Sequence, residues 1–325
     1  MEKDTNDGAR DPVERELGDE EDLYDVSTWE ERTWLDSVAV GFYRQVVRGT
    51  KLLTVGAALL ILVGQLAITA VAVTVNPVLG VFTLLSTVPA FLLAGYVWVR
   101  DVTVREPLKP LVVTFLLAVV FAGFAAVINS SGVPFFSRVP FVGAGLFFLL
   151  VVAPVEETVK MLAVRMYAYE ERWFDAVIDG AVYGAVAGLG FATIENSAYI
   201  TSQFLATAQS GTEPLFGATA ETAFVRSLVG PGHVIYSSIA GYYMGLAKFN
   251  PENAGPIVAK GILIAGVIHG GYNTLVTYLP QFIEFTPLVF VSFIVLYDTV
   301  FGLYLFSKIS RYSSAYRRAT GSREG

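Results

Sequence analysis

The side chains best suited to chemistry in this chain lie in stretches that are otherwise apolar. The sequence contains two histidines, His233 and His269, and both fall inside runs long enough to cross a membrane. Runs of the same kind contain Glu156, Glu157, Lys160, Glu195 and Asn273. An ionisable group at the centre of a membrane-spanning helix costs about 2.5–3.5 kcal/mol, so such groups usually face a protein interior or an aqueous cavity. Their spread over several helices predicts a polar site inside a helical bundle.

Two adjacent glutamates and a lysine form the first motif. Glu156 lies four residues before Lys160 and Glu157 lies three before it, so either carboxylate can pair with the amine on one helical face. One carboxylate can then be held ionised by the lysine, while the other acts as a general base that takes a proton from water. The alternative is that this end of the helix lies in the membrane interface, where Glu and Lys are ordinary residues.

The other candidates each have a functional and a structural interpretation. Glu195 follows a glycine-rich apolar run, and is either a second carboxylate of the site or a residue at its outer rim. His233 follows the Gly-Pro-Gly run at 230–232, which predicts a local break in the helix and favours a functional role over a core histidine. His269 and Asn273 are four residues apart on one helical face, which suits them to hold an oxyanion. Their alternative is a hydrogen-bonded pair between helices.

The order and spacing of these elements resemble those of the PrsW family of membrane-embedded proteases. That family is similar to the larger group of CAAX prenyl endopeptidases and bacteriocin-processing proteins. The elements are Glu156-Glu157-x-x-Lys160, Phe191-x-x-x-Glu195, His233 and His269-x-x-x-Asn273, within about residues 139–279. The larger group typically has His where Glu195 stands and Arg one position beyond Lys160, which favours the PrsW branch.

The resemblance implies a membrane-embedded endopeptidase that hydrolyses peptide bonds of membrane-anchored protein substrates. Glu156 would be the base and Glu157 its partner. Glu195 and His233 would lie around the attacking water, with Lys160 as a supporting residue.

The same resemblance implies an oxyanion site and leaves the role of metal open. His269 and Asn273 would stabilise the tetrahedral oxyanion. In one mechanism His233, His269 and Glu195 hold a zinc ion with an open position for water. In the other, equally open, Glu156 activates water without a metal.

Two other functions are compatible with residues of this kind. Carboxylates and histidines at membrane depth also form proton relays, so a proton-coupled transporter or channel is one alternative. The sequence shows no internal repeat or continuous polar stripe to favour it. A non-catalytic membrane scaffold of the same superfamily is the other alternative. No nucleic-acid signature is found, so the expected partners are a membrane-anchored protein substrate and the lipid bilayer.

Membrane-spanning helices are the elements that must position these residues. The chain is 54% hydrophobic and 16% charged, with a mean hydropathy of +0.56, outside the usual range for soluble domains. Because about 20 apolar residues are needed to cross a bilayer, we predict an all-α, polytopic integral membrane bundle of about eight transmembrane helices. The predicted spans are Leu52–Thr74, Val78–Val99, Leu111–Ile128, Val139–Tyr167, Ala176–Ile200, Ala223–Lys248, Pro256–Leu279 and Pro287–Phe306.

The basic residues predict the orientation of the bundle. They precede the first predicted span, recur in every second connection and follow the last span. Because basic loops stay in the cytoplasm, both termini of a multi-pass cell-membrane protein are expected there. Residues 201–222 are expected to form the longest loop on the outer side.

Charge and hydropathy divide the chain into three parts. Residues 1–36 contain fourteen acidic and four basic residues, and are expected to be a disordered cytoplasmic tail. Residues 37–309 are the transmembrane helical domain, with the catalytic core at about 139–279, and residues 310–325 are a basic cytoplasmic tail. The sequence has no cysteine, which excludes disulfides, thiolate nucleophiles and cysteine–zinc sites.

Overall fold

The chain folds into long helices that pack around a central pair. A computed structural model describes residues 11–17, 21–49, 77–210 and 215–321. Helices account for most of these residues, and no β-strand is found among them. In chain order the elements are α1 (Pro12–Leu17), α2 (Trp34–Gly49), α3 (Pro77–Val99), α4 (Leu108–Phe136), α5 (Gly143–Phe147), a π-helical turn (Phe148–Val152), α6 (Ala153–Met166), α7 (Val177–Ser210), α8 (Leu215–Lys248), α9 (Ala254–Tyr278) and α10 (Pro287–Gly321). Short 3₁₀ turns occur at Ala168–Glu170, Pro251–Asn253 and Leu279–Gln281.

Five of the described helices are long and apolar enough to cross a membrane. The segments are Val78–Val99, Leu108–Phe136, Val177–Ser210, Pro251–Gln281 and Pro287–Gly321. They confirm the prediction of an all-α polytopic membrane protein. The first predicted span, Leu52–Thr74, lies outside the described residues, and α8 is long enough but more polar than these five. The count of eight therefore stays a prediction.

The central helices α7 and α8 approach each other closely through glycines. Gly184 and Gly188 lie one turn apart on the face of α7 that meets α8. A Cβ at Gly184 would lie 2.2 Å from the carbonyl oxygen of Ser237, and one at Gly188 would lie 2.4 Å from that of His233. No larger side chain fits in this space, so the absence of side chains lets the two backbones pack together. The glycines thus hold the backbone of His233 directly against α7.

A π-helical turn interrupts the predicted fourth span just before the paired glutamates. The backbone N–H of Ala153 donates to the carbonyl oxygen of Phe148, five residues earlier. Pro154 has no N–H to donate, so the regular α-helical ladder is interrupted next to this turn. The single span expected at Val139–Tyr167 is therefore a turn at residues 137–142 followed by α5, the π-helical turn and α6.

Two expected irregularities are helical instead. The outer loop predicted at 201–222 is much shorter, because α7 continues to Ser210 and α8 begins at Leu215. The Gly-Pro-Gly run does not break α8, which is continuous through Pro231, so the predicted break was wrong. A proline is tolerated within a membrane helix where packed neighbours hold the surrounding backbone. The glycine-lined contact with α7 does this for α8.

Part of the acidic N-terminal segment packs against the end of the bundle where α8 finishes. Asp11 is fully buried and accepts a hydrogen bond of 2.8 Å from the hydroxyl of Tyr312. Asp36 is also buried and lies 2.8 Å from the Nζ atom of Lys260. Residues 11–17 and 21–36 are thus packed where the sequence predicted a disordered tail, because their carboxylates find donors on α9 and α10.

The C-terminal segment is helical where the structure describes it. Helix α10 runs to Gly321, well into the basic tail expected at 310–325. Its Arg318 forms an ion pair of 3.1 Å with Glu21, and its Lys308 pairs with Asp25. Two basic side chains of α10 are therefore paired with acidic residues of the N-terminal segment.

Candidate active site

The predicted site residues converge on one cavity in the bundle. The cavity has a volume of about 1330 Å³ and lies between α4, the π-helical turn, α6, α7, α8 and α9. Its lining includes Glu156, Glu195, His233, His269 and Asn273. Glu157 and Lys160 are fully buried and contact residues of this lining. Residues from four separate helices thus surround a common space, as the sequence predicts.

Glu157 holds the site together from α6. Its Oε1 atom accepts a hydrogen bond of 2.6 Å from Nζ of Lys160 and lies 3.0 Å from Nδ1 of His269. Its Oε2 atom accepts one of 3.1 Å from the hydroxyl of Ser237. These donors satisfy a buried carboxylate and connect α6 to α8 and α9. The sequence left open which glutamate pairs with Lys160, and the structure pairs it with Glu157.

The two histidines, as neutral imidazoles, are held in opposite tautomers. The ammonium of Lys160 only donates hydrogen bonds, so Nδ1 of His233, 3.0 Å away, accepts and the ring proton lies on Nε2. A carboxylate only accepts, so Nδ1 of His269 donates to Glu157 and Nε2 keeps its lone pair. The hydrogen-bond network assigns both tautomers. One ring therefore presents a donor on Nε2 and the other presents an acceptor.

Glu195 is tied into the site by Arg226, which from the sequence could neutralise a carboxylate but was not predicted as a site residue. Its Oε2 atom lies 2.9 Å from Nε2 of His233 and also pairs with Arg226. The Nε atom of Arg226 donates to Asn196 at 2.8 Å, and the amide of Asn196 donates to Ser86 on α3 at 3.1 Å. Glu195 is therefore paired within the protein. Arg226 lies seven residues before His233, two turns along the same helical face, and this spacing was the available signal.

Glu156 presents one uncommitted oxygen to the cavity. Its Oε1 atom accepts a hydrogen bond of 3.1 Å from the amide of Asn129 on α4, a contact the sequence analysis did not anticipate. Its Oε2 atom is buried, has no hydrogen-bond partner among the described residues, and lies 3.7 Å from Nε2 of His269. A buried acceptor of this kind calls for a ligand or a water molecule as its partner. Glu156 is thus the carboxylate best placed to act on a bound molecule.

Aromatic rings form the walls that hold the histidines. The ring of Tyr236 stacks on His269 with centroids 5.3 Å apart, and Phe191 packs against His233 at 5.5 Å. The two imidazoles themselves meet edge to face at 5.1 Å. Asn273 lines the same cavity one turn beyond His269, but none of the hydrogen bonds described above involves it.

Three of these side chains are spaced to hold a metal ion. Ligand atoms of Glu156, His233 and His269 lie within 4.8 Å of one another. Two imidazoles and a carboxylate are a donor set that catalytic zinc uses. This set contains Glu156 where the sequence suggested Glu195, which pairs with Arg226 instead. The donors fit zinc, provided that Nε2 of His233 gives up its proton on binding.

Comparisons with known proteins point to one family. The family described as "PrsW family intramembrane metalloprotease" matches residues 106–300. The chain is similar to Protease PrsW of Bacillus subtilis, with 29% identity over 201 residues that cover 61% of this chain and 83% of that protein. It is also similar to Protease PrsW of Geobacillus kaustophilus, with 30% identity over 201 residues that cover 60% of this chain and 80% of that protein. No solved structure gave a significant match.

Proposed function

Because the chain belongs to the PrsW family of intramembrane metalloproteases and is a membrane-embedded endopeptidase, we propose that its hydrolytic centre is the cluster of Glu156, Glu195, His233 and His269. The convergence of these residues from separate helices on one cavity carries the proposal. Together with the amide of Asn273 they provide a base, an acceptor and a hydrogen-bond donor beside a space large enough for a polypeptide segment.

Glu156 is the general base in the proposed mechanism. A water molecule bound between its Oε2 atom and Nε2 of His269 attacks the carbonyl carbon and gives one proton to Glu156. The carbonyl oxygen becomes an oxyanion, and the amide of Asn273, which lines the same cavity, is the donor available to stabilise it. Glu156 then returns the proton to the amide nitrogen as the C–N bond breaks.

This division of roles differs from the one that the resemblance implied for the oxyanion. A neutral His269 that donates its Nδ1 proton to Glu157 has no second proton to give. The Nε2–H group of His233 already donates to Glu195, so the amide of Asn273 in the same cavity takes the donor role. Glu195, paired with Arg226, orients the His233 ring through its contact with Nε2.

The metal dependence of this centre is a separate question. A zinc ion held by Glu156, His233 and His269 would supply a polarised water of lowered pKa at the same place. Glu157 and Lys160 would still orient the two rings. Zinc content of the purified protein, measured beside cleavage after chelator treatment, distinguishes the two routes. Stoichiometric zinc with chelator-sensitive cleavage supports the metal route, whereas full cleavage by zinc-free protein excludes it.

The substrate in this proposal is a membrane-anchored protein cut in the outer half of a cell membrane. The basic loops favour a cytoplasmic location for both termini and for the start of α7. At 1.5 Å per residue, Glu195 then lies roughly 27 Å along α7 from Val177. The cavity extends from the site toward Gln203 and Thr222, which flank the connection between α7 and α8 on the opposite side.

Co-expression with tagged single-pass membrane proteins tests the proposed function. Glu156→Gln keeps the shape of the side chain but removes the base, so we expect cleavage to fall at least about 100-fold. The control is Glu252→Gln, which changes an exposed glutamate in a surface turn and should cleave like the wild type. Undiminished cleavage by a folded Glu156→Gln variant would exclude Glu156 as the base.

A further inference from the structure

A second group of acidic side chains lies at the N-terminal end of α7, 16 residues before Glu195. Asp101 and Glu106 belong to the loop between α3 and α4, and Asp179 belongs to the first turn of α7. A carboxylate oxygen from each lies within 4.8 Å of the other two, and all three residues are buried. Acidic residues are rarely buried together, because their charges repel strongly where water is scarce.

Glu106 is the member of this group that most needs a partner. It is 2% exposed, and no N–H or hydroxyl group in the described part of the chain donates to either of its carboxylate oxygens, whose polar neighbours are the carboxyl groups of Asp101 and Asp179. Asp101 is 8% exposed and its Oδ2 atom is also unpaired. Its Oδ1 atom accepts hydrogen bonds of 2.8 and 2.7 Å from the backbone N–H and hydroxyl of Thr103. Three buried carboxylate oxygens therefore lack the partners that such atoms normally have.

Asp179 fixes the third carboxylate at a defined position. Its Oδ2 atom accepts hydrogen bonds of 2.7 and 2.8 Å from the backbone N–H groups of Asp175 and Ala176, as a capping side chain does. Its Oδ1 atom faces the loop between α3 and α4 and lies 3.4 Å from the hydroxyl of Thr103. Tyr183, one turn further along α7, has a fully buried hydroxyl that is also unpaired among the described residues. The loop between α3 and α4 and the first turns of α7 thus both contribute oxygen atoms to the group.

The neighbouring lysine does not neutralise these carboxylates by direct contact. Lys248, at the end of α8, donates at 2.7 and 3.3 Å to the main-chain oxygens of Tyr169 and Glu171. Burial, together with the charges of Asp179 and Asp101, raises the pKa of Glu106. The same features that make three bare carboxylates unfavourable would favour a small cation between them.

We propose that Asp101, Glu106 and Asp179 bind a hard divalent cation of the Mg²⁺ or Ca²⁺ class. Carboxylate oxygens are the ligands that such ions prefer, and the group contains no nitrogen or sulfur ligand that would select zinc or copper. The cation connects the loop between α3 and α4 to the first turn of the helix that carries Glu195. It is separate from the histidine-containing centre and does not depend on the proposed function.

Titration of Mn²⁺ into the chelator-treated full chain, followed by electron paramagnetic resonance, tests this proposal. Mn²⁺ accepts the same oxygen ligands and is directly visible. The titration uses a His269→Ala background, so that binding at the histidine site does not contribute. We expect one Mn²⁺ per chain that Mg²⁺ or Ca²⁺ displaces, and at least a tenfold weaker affinity after Glu106→Gln. Asp175→Asn, an exposed neighbour outside the group, is the matched control and should keep the affinity.

Two results would overturn the proposal. One is the absence of saturable Mn²⁺ binding in this background, and the other is unchanged affinity in a folded Glu106→Gln variant. If cation binding is absent and Glu106→Gln melts at a higher temperature than its parent, the carboxyl groups share protons instead. Circular dichroism checks that the variants fold. If Glu106→Gln does not fold, Asp101→Asn takes its place, because an Asn oxygen can keep the hydrogen bonds from Thr103.

Discussion

The Nζ atom of Lys160 lies 3.0 Å from Nδ1 of His233, although 73 residues separate the two in the sequence. This contact decides that the nitrogen of His233 facing Glu195 is a donor. The same ammonium donates to Glu157 at 2.6 Å and lies 4.4 Å from the centre of the Phe191 ring. Lys160 does not line the cavity, and its contacts hold the ring of His233 in its orientation.

Lys160→Met should lower cleavage roughly 10- to 100-fold, as loss of an orienting outer-shell partner typically does. Without the ammonium, Nδ1 of His233 loses its donor and Glu157 loses its ion-pair partner. Cleavage rates and the nitrogen chemical shifts of the His233 ring measure the two effects. Lys109→Met, which removes an exposed lysine, is the control. An unchanged rate with an unchanged Nδ1 chemical shift would contradict the assigned role.

Arg226→Gln should reduce cleavage about tenfold or more, because Glu195 then loses the cation that holds it beside His233. Arg226→Lys keeps the charge but cannot contact Glu195 and Asn196 together, so it should be intermediate. The measurement is the rate of cleavage of one substrate by the three proteins at equal expression. If the Gln variant cleaves as fast as the wild type, Arg226 has no role in the site.

Gly188→Ala should displace His233, because the new Cβ atom would lie 2.4 Å from the carbonyl oxygen of that residue. Overpacking of this kind typically costs about 1–3 kcal/mol. We expect a lower melting temperature and a lower cleavage rate together. Gly95→Ala is the matched control, since a Cβ there has no neighbour within 4 Å among the described residues. Wild-type behaviour of Gly188→Ala would show that α7 and α8 are less tightly packed than described.

Docking of residues 11–17 should weaken as the pH rises. Burial raises the pKa of the Asp11 carboxyl from 3.8 to about 6, although hydrogen bonds from Tyr312 and the backbone act in the opposite direction. Docking therefore favours the protonated form. The docking free energy that depends on the protonated Asp11 carboxyl is fully present below about pH 4 and is lost as the pH rises through about 6.

Spin labels on cysteines introduced at the exposed positions Arg15 and Ser314 can measure this docking, since the chain has no other cysteine. The fraction at the short label distance should be larger at pH 5 than at pH 7.5. Asp11→Asn, which does not titrate, should remove the difference. A larger docked fraction at pH 7.5 would contradict the sign of the effect.

The sequence was sufficient to predict a membrane helical bundle with its polar residues gathered in one place. The reason is that lipid leaves an ionisable group such as Glu156 or His269 few environments other than a protein interior. It could not decide which glutamate pairs with Lys160, because Glu156 and Glu157 are both within one helical turn of it. The choice depends on how α6 is rotated against α8, and that rotation is a property of packing.

Other features depend on contacts between distant segments. The break expected near His233 did not occur, because the effect of Pro231 on α8 is decided by the helix packed against it. Asp101 and Glu106 lie in an ordinary polar loop, so nothing in their spacing indicates that they meet Asp179. The docking of Asp11 could not be predicted either, because the composition of a segment does not show which surface it packs against.

The π-helical turn at Phe148–Val152 uses one residue more than an α-helix needs for the same rotation. If the same five residues wound as an ordinary α-helix, Glu156 would be rotated by about 100° around the axis relative to α5. The carboxylate would then point away from the imidazole it faces, although every polar side chain remained in place. The direction of the Glu156 carboxylate thus depends on the wider winding of this one turn.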